Sequence, residues 1–463
     1  MPRYRLAIAA VALSLVAAYA VTWISVSHAQ IGTSDFTATY VGATLLREGH
    51  RAGIYDASLE APLTAALIAP TPSGANLNFL YPPPAAVLVM PLTLLPLSAA
   101  YRVYQAAQLL MLALAVFLAA RSAPWPRTLW RAGIPAVSAL AALAGTGTLA
   151  LGLLGQWDGV GALGLAGAYA LWRRDARFAG GAVLAATAAL AKPHLALGLA
   201  ALLIGWRERR VLAGAAAGVL GMVAVSLAAV GPAGLVGFVS STQSDASRWP
   251  LSMMLGFTGL FGSWLGNGAL PQLLALAGSI LAIGGCVYLG RRLARDRSAL
   301  EPCLAAATLL SLLASPHMLS HDLVLLAPVL VGMLAWAGAR DASAPWPGPL
   351  GRSVLAGWGV LCVAGALDLG AQATAPPGRL VPFVLLGLAA LLVRDLRTRG
   401  PPGQRWRGGL VPGRRSRSAS GLDPRSATVV GDRVTRPPHP ARSSGQFTAT
   451  RVVHLVSSWD ALV

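Results

Sequence analysis

A single lysine is the most unusual chemical feature of this sequence. Lys192 lies in the segment Ala191-Lys192-Pro193-His194, between two strongly apolar runs, and the other 35 of the 36 basic residues are arginines. A charged amine at the end of an apolar span is costly to bury, so it marks a functional site unless it extends to the lipid headgroups. Lys192 is therefore a candidate ligand for phosphate, which a compact ammonium binds as a point charge.

Outside the arginine clusters, charged and titratable side chains are few, and several lie next to the ends of apolar runs. They include Asp35, Asp56, Asp158, Lys192, His194, Asp245, Arg248, His317, His321 and Asp322. Carboxylates and imidazoles can remove a proton from a hydroxyl, and cations can neutralise a phosphate leaving group. We therefore expect helix packing to collect such residues into one polar cavity at the outer membrane surface.

Several of these residues also have a purely structural interpretation. Asp35 and Asp158 each stand where a helix cap is expected. His317 and His321 are four residues apart, so they would share a face if the segment were helical. Such a pair can bind a metal, but the sequence offers no obvious third ligand nearby. We therefore predict no metal and no cofactor, although a divalent ion is not excluded.

The composition is that of an all-α polytopic membrane protein. The chain has 463 residues, of which 55% are hydrophobic and 11% charged, and its mean hydropathy is +0.62. Soluble domains carry about 25% charged residues. The three cysteines, Cys286, Cys303 and Cys362, lie in or beside apolar runs. This is typical of small core residues rather than of a disulfide or metal set.

Arginine clusters predict which loops face the cytoplasm, and about 12 spans (roughly 11 to 13) fit their distribution. We predict spans at 6–26, 101–120, 134–154, 159–172, 178–191, 195–206, 211–230, 272–290, 302–314, 323–339, 353–369 and 380–393. The first run resembles a signal peptide, but its length and the spans that follow favour a retained helix. Residues 83–97 are rich in proline and would reach only about 22 Å as a helix, so we predict a re-entrant or interfacial segment.

This topology predicts two long loops on the outer face of the cell membrane. The first, residues 28–82, contains helix-like stretches at 36–48 and 57–69, which we interpret as amphipathic helices on the membrane surface. The second, residues 231–271, contains Arg248 and is expected to help form a lid over the cavity. The polar cavity should then face outside.

The C-terminal part differs in composition from the rest. From Arg394 onward there are 13 arginines and 4 acidic residues, with much proline, glycine and serine. We therefore predict a membrane domain over 1–393 and a disordered basic cytoplasmic tail over 394–463. A basic tail can contact anionic lipid headgroups or nucleic acid; of these we expect membrane lipids and no nucleic acid.

Five stretches, taken in order, resemble glycosyltransferase family 87, membrane enzymes of the GT-C class that use polyprenyl-phosphate sugars. They are SDFTATYVGATLLREGHRAGIYD, FLYPPPAAVLVMPLTLLP, LGQWDG, LAKPHLALGL and SPHMLSHDLVLLAP, within an apolar framework that extends the resemblance over about residues 10–393. One departure is that Trp157-Asp158 stands where Asn-Gly is commoner. This leaves the role of that loop, and the identity of the sugar, open.

The resemblance implies an inverting transfer of a sugar, often mannose, from a polyprenyl-phosphate donor to a lipid or glycan acceptor. It implies Asp35 as the residue that assists acceptor deprotonation, with His321 sharing that role. It also implies Lys192 as a donor-phosphate ligand and Gln156 as a sugar or phosphate contact. Four further residues are predicted to bind substrate: His194, Arg248, Asp322 and Tyr81 of the aromatic-Pro-Pro segment.

Two other functional classes fit the same composition. A transporter or lipid flippase would also have many spans and sparse intramembrane charge. No repeat between the two halves of the chain is evident, and the polar residues gather at one face, which favours an enzyme. A membrane scaffold without catalysis is the third reading, and the long first loop with Asp35 argues weakly against it.

Overall fold

The computed structural model describes residues 2–70, 78–245, 251–341, 345–371 and 380–398. Within these ranges every regular element is a helix. The α-helices are α1 (Pro2–Ile24), α2 (His28–Gly32), α3 (Asp35–Arg47), α4 (Ala57–Ile68), α5 (Pro83–Val89), α6 (Leu97–Ser122), α7 (Arg127–Arg131), α8 (Ile134–Leu143), α9 (Thr146–Leu154), α10 (Asp158–Arg173), α11 (Arg177–Ala191), α12 (Leu197–Trp206), α13 (Arg209–Asp245), α14 (Phe257–Leu265), α15 (Ala269–Arg295), α16 (Leu300–Ala314), α17 (Leu326–Arg340), α18 (Pro349–Ala371) and α19 (Val381–Thr398). Short 3₁₀ turns lie at Arg51–Gly53, Met90–Leu94, Pro193–Ala196, Leu251–Met253, Arg297–Ala299 and Ser320–Leu325.

Seven stretches in the described ranges are long and apolar enough to cross a membrane, and the bent pair α8–α9 makes an eighth if it counts as one span. The predicted spans at 159–172, 178–191 and 195–206 correspond to helical stretches that are too short by this measure. Helix α19 covers the predicted span at 380–393 and also falls outside the seven. The expected count of about 12 is therefore not confirmed. The all-helical class is confirmed, and several apolar helices of span length indicate a membrane protein.

The centre of the bundle is formed by α16 and α17. The apolar windows that contain them are 83% and 89% buried, whereas the window in α1 is 6% buried, so α1 lies at the periphery. The middle residues of α17 are apolar on all sides, and those of α16 are apolar except for the buried, hydrogen-bonded Thr308 and Ser311, as expected for helices enclosed by others. Helix α16 packs against α15, α17, α12 and α19, and α17 packs against α6, α8 and α18.

The break between α8 and α9 brings α9 against the turn at 320–325. The two short helices meet at an angle of 47°. A Cβ atom on Gly147 would lie 2.5 Å from the backbone nitrogen of Val324, so only glycine permits this approach. This contact fixes the position of the turn that contains His321 and Asp322.

The first loop differs from its predicted form in one respect. Helices do occur there, at α3 and α4, close to the predicted stretches 36–48 and 57–69. However, every residue of α3 from 36 to 45 is buried, so α3 is not an amphipathic helix on the membrane surface, and that expectation is wrong. Its threonines satisfy their hydroxyls locally: Thr44 donates to the Tyr40 carbonyl and Thr37 to the Ile31 carbonyl. Polar side chains bonded in this way can be buried without losing a hydrogen bond.

The second predicted loop and the predicted tail boundary also shift. Helix α13 continues through a kink at Gly231 to Asp245, so much of the expected loop is helical. Residues 246–250, including Arg248, lie outside the described residues. Helix α19 extends to Thr398, past the predicted tail start at 394, and residues 399–463 also lie outside the described part of the chain.

Candidate active site

Three separate segments bring charged side chains into one buried cluster. The ammonium of Lys192 lies 2.7 Å from Asp322 Oδ1 and 3.2 Å from Asp158 Oδ2. Both carboxylate side chains are 1% exposed and the lysine side chain is 10% exposed. Lys192 therefore does not extend to lipid headgroups. Asp158 is the first residue of α10 and Trp157 occupies the cap position, so the Asp158 side chain is not the helix cap and pairs with this ammonium instead.

Local sequence explains why these groups stand at helix ends. Pro193 has no backbone N–H and cannot continue α11, so Lys192 takes an extended conformation between α11 and the turn that follows. Asp322 lies in the 3₁₀ turn and accepts a hydrogen bond from the Leu319 backbone through Oδ2, at 2.7 Å. Its other oxygen is thereby left to face Lys192.

His321 completes this cluster. Its Nε2 atom lies 3.5 Å from Asp322 Oδ1 and 4.0 Å from Asp158 Oδ2, and its side chain is 2% exposed. Its Nδ1 atom is buried and has no hydrogen-bond partner among the described residues. Residues 315–319 are not helical, so the condition under which His317 and His321 would share a helix face is not met. His317 faces His194 instead, with ring centroids 6.4 Å apart.

Asp35 belongs to a second polar group, which adjoins the first. It is the first residue of α3, where Ser34 occupies the cap position. Gln156 donates its side-chain amide to Asp35 Oδ2, and Tyr81 donates its hydroxyl to Gln156 Oε1 at 2.6 Å. Asp35 as a whole is half-buried.

The segment 156–158 joins the two groups. Gln156 contacts Asp35 and Asp158 contacts Lys192, while the buried Trp157 between them packs on Tyr104 and Tyr81 at centroid distances of 5.3 and 6.3 Å. The turn at Gly155 has φ +75°, and a Cβ there would lie 2.5 Å from Cβ of Phe36. Glycine at 155 is thus required to bring this segment against the start of α3.

The segment that contains Tyr81 is held in part by Glu60, a residue that sequence reasoning did not single out. Glu60 of α4 accepts the backbone N–H of Phe79 through Oε2 at 2.8 Å, and Tyr55 donates its hydroxyl to the Tyr81 carbonyl at 2.7 Å. Burial raises the pKa of Glu60 to about 7. The sequence did contain a signal for this residue, because Glu60 is a lone carboxylate in the apolar sequence of α4. Such a group is rarely buried without a partner, so a hydrogen-bonding role could have been predicted.

A small apolar cavity adjoins the lysine. It lies between α10, α11 and the start of α12, and Asp158 and Lys192 are its charged lining residues. His194 is beside the cluster, where Nε2 lies 3.2 Å from the His317 carbonyl oxygen. Six of the predicted site residues thus belong to the two connected groups: Asp35, Tyr81, Gln156, Lys192, His321 and Asp322. His194 lies next to them. Arg248 cannot be placed because it lies outside the described residues.

A sequence model described as glycosyltransferase family 87 matches residues 79–316, which is more than half of the chain. The chain belongs to glycosyltransferase family 87. Family 87 membership makes the protein a membrane glycosyltransferase. No curated protein and no solved structure matches it.

The family 87 match includes part of the site. Tyr81, Gln156, Asp158 and Lys192 lie inside the matched range, whereas Asp35, His321 and Asp322 lie outside it. Gln156 and Lys192 connect the two sets, because Gln156 contacts Asp35 and Lys192 contacts Asp322.

Proposed function

We propose that the protein transfers a sugar, a hexose such as mannose or a pentose, from a polyprenyl-phosphate donor to a lipid or glycan acceptor, with inversion. The reaction takes place at the outer face of the cell membrane, in the membrane domain, and the basic tail after the last helix lies in the cytoplasm. The observation that carries the proposal is the 156–158 segment, which places the carboxyl group of Asp35 and a buried ammonium on either side of one short stretch of backbone.

Asp35 acts as the base in this proposal. The acceptor hydroxyl attacks the anomeric carbon, its proton passes to the Asp35 carboxylate, and the bond from that carbon to the donor phosphate breaks. Gln156 and Tyr81 orient the carboxylate through their hydrogen bonds. Positioning of this kind accounts for much of the rate in reactions whose leaving group is already activated.

Lys192 stabilises the departing phosphate. A lysine ammonium has three protons, and Asp158 and Asp322 accept two of them, which leaves the third for a phosphate oxygen. His321 assists proton removal, and His194 and Arg248 are assigned to substrate binding. The apolar cavity beside Lys192 suits the first part of a lipid chain, so the donor can approach without leaving the bilayer.

The test uses purified protein in lipid vesicles, with radiolabelled polyprenyl-phosphate sugars and a crude lipid extract as acceptor. Asp35→Asn should lower the transfer rate by about 10²- to 10⁴-fold, because it removes a general base without changing size. Glu48→Gln is the matched control, since Glu48 lies in the same loop, is exposed, and pairs with Arg47 near the surface. Normal transfer by Asp35→Asn would reject Asp35 as the base. Movement of the donor across the vesicle membrane without transfer would instead favour a flippase.

A further inference from the structure

We propose that the Lys192 ammonium fills a divalent-cation site built by Asp158, His321 and Asp322. The protein then carries, as part of its own chain, the positive charge that a metal ion supplies in many phosphate-handling sites. Removal of the ammonium should convert the cluster into a binding site for Mn²⁺ or Zn²⁺.

The geometry of the three side chains supports this assignment. One ligand atom from each lies within 4.8 Å of the other two, and all three residues are buried. They come from the start of α10 and from the 3₁₀ turn at 320–325, two elements that pack directly against each other. Two carboxylate oxygens and one imidazole nitrogen form a mixed donor set that suits Mn²⁺ and Zn²⁺.

His321 provides an independent observation that the cluster can bind a cation. Its side chain is 2% exposed, and Nε2 points toward the carboxylates at 3.5 and 4.0 Å, beyond good hydrogen-bond distance to Asp158. Nδ1 has no partner within the described residues. A buried imidazole usually has a partner at one nitrogen or both, and a proton on Nδ1 leaves the Nε2 lone pair directed at the cluster.

The charge of the cluster leads to the same conclusion. Two carboxylates and one ammonium sum to −1 when His321 is neutral. Without the ammonium the sum becomes −2 in a buried environment, which is strongly unfavourable unless a cation enters or one carboxylate takes up a proton. A divalent ion would neutralise it fully, whereas in the unmodified protein the ammonium occupies the same position and repels the ion.

The binding part of this proposal stands alone, and only its functional part rests on the proposed glycosyl transfer. If Lys192 neutralises the leaving phosphate, a metal ion bound in its place can do the same, as a Lewis acid at the phosphate oxygen. Mn²⁺ should then restore part of the transfer that a lysine variant loses.

The experiment measures Mn²⁺ binding to the full-length protein in lipid nanodiscs, without donor or acceptor, from the loss of the free-ion electron paramagnetic resonance signal. Lys192→Ala and Lys192→Gln should each bind one Mn²⁺ at least about 10-fold more tightly than the unmodified protein, and the ion should raise their thermal unfolding midpoints. The matched control carries His321→Gln in addition to Lys192→Ala, and loss of this ligand should weaken binding by a further 10- to 100-fold or so.

The proposal is overturned if the folded lysine variants bind Mn²⁺ no better than the unmodified protein, or if the His321→Gln control binds it equally well. It is also overturned if neither lysine variant folds with Mn²⁺ supplied, because the ion would then have failed to replace the ammonium. Transfer is measured separately. Binding without restored transfer would support the cation site and count against the assigned role of Lys192 in the reaction.

Discussion

Glu60 should make the segment that holds Tyr81 sensitive to pH. The pKa of its carboxyl group rises from an ordinary 4.5 to about 7 in the folded loop, mainly because of burial, while the hydrogen bond from Phe79 acts in the opposite direction. Below pH 4.5 the group is protonated whether the segment is closed or open. Between 4.5 and 7 only the open segment releases its proton, so the closed state loses stability as pH rises, and above about 7 the loss is complete.

The size of this effect follows from the change in pKa. A difference of one unit corresponds to about 1.4 kcal/mol, so the closed segment should lose about 3 kcal/mol between pH 4.5 and 7. Replacement by Gln, which has the shape of the protonated acid and still accepts the Phe79 N–H, should remove this dependence. In the unmodified protein, the equilibrium constant for opening of 78–82 should increase by a factor of a few hundred between pH 4.5 and 7. In Glu60→Gln it should stay nearly constant over the same pH range.

Hydrogen–deuterium exchange at the amides of 78–82, corrected for the intrinsic effect of pH on exchange, measures this opening. Glu48→Gln is again the control, because it removes a carboxylate from the same loop where that group is exposed. The reasoning is refuted if Glu60→Gln keeps the pH dependence of the unmodified protein, or if opening in the unmodified protein does not change between pH 5 and 8.

Three further predictions concern the site itself. Lys192→Met should raise the KM for the donor by about 10- to 100-fold and leave the KM for the acceptor nearly unchanged, because a charge-assisted hydrogen bond to phosphate is lost; equal effects on both would contradict the assignment. Gln156→Leu should lower kcat by about 100-fold through misplacement of Asp35, with little change in thermal stability, and a normal kcat would show that Asp35 needs no such support. Gly155→Ala should destabilise the protein by about 1–3 kcal/mol, since the φ of +75° and the close approach of Phe36 exclude a Cβ, and an unchanged unfolding midpoint would contradict this.

The helical class and the positions of most helices could be predicted from hydrophobic runs, because each apolar run must bury or enter lipid as a helix. The burial of α3 could not, since its threonines look polar in sequence and their bonds to nearby carbonyls appear only once the helix exists. Runs such as 178–191 were interpreted as spans from apolar content alone, although the helix α11 has only 15 residues.

Some of the residues that form the site could be predicted from the sequence. Lys192 stood out because it is unique, and Asp322 because it follows a break between apolar runs. The pairing of Lys192 with Asp158 was missed, because a carboxylate at a helix start is as easily a cap as an ion-pair partner and spacing does not distinguish the two. Glu60 was missed for a related reason: its partner is a backbone N–H, which carries no signature in the sequence.

The left-handed turn at Gly155 also bears on how a bulky substrate can enter. The side chains of Gln156 and Asp158 are separated by two peptide units, so their spacing is set by the local conformation of this segment. Helices α10 and α11 border the cavity beside Lys192, and a long hydrocarbon chain inserted there would push them apart. Such widening would leave the spacing of Gln156 and Asp158 unaltered, but it would draw Lys192 at the end of α11 away from Asp158 at the start of α10. The width of the entrance and the placement of the ammonium are therefore coupled.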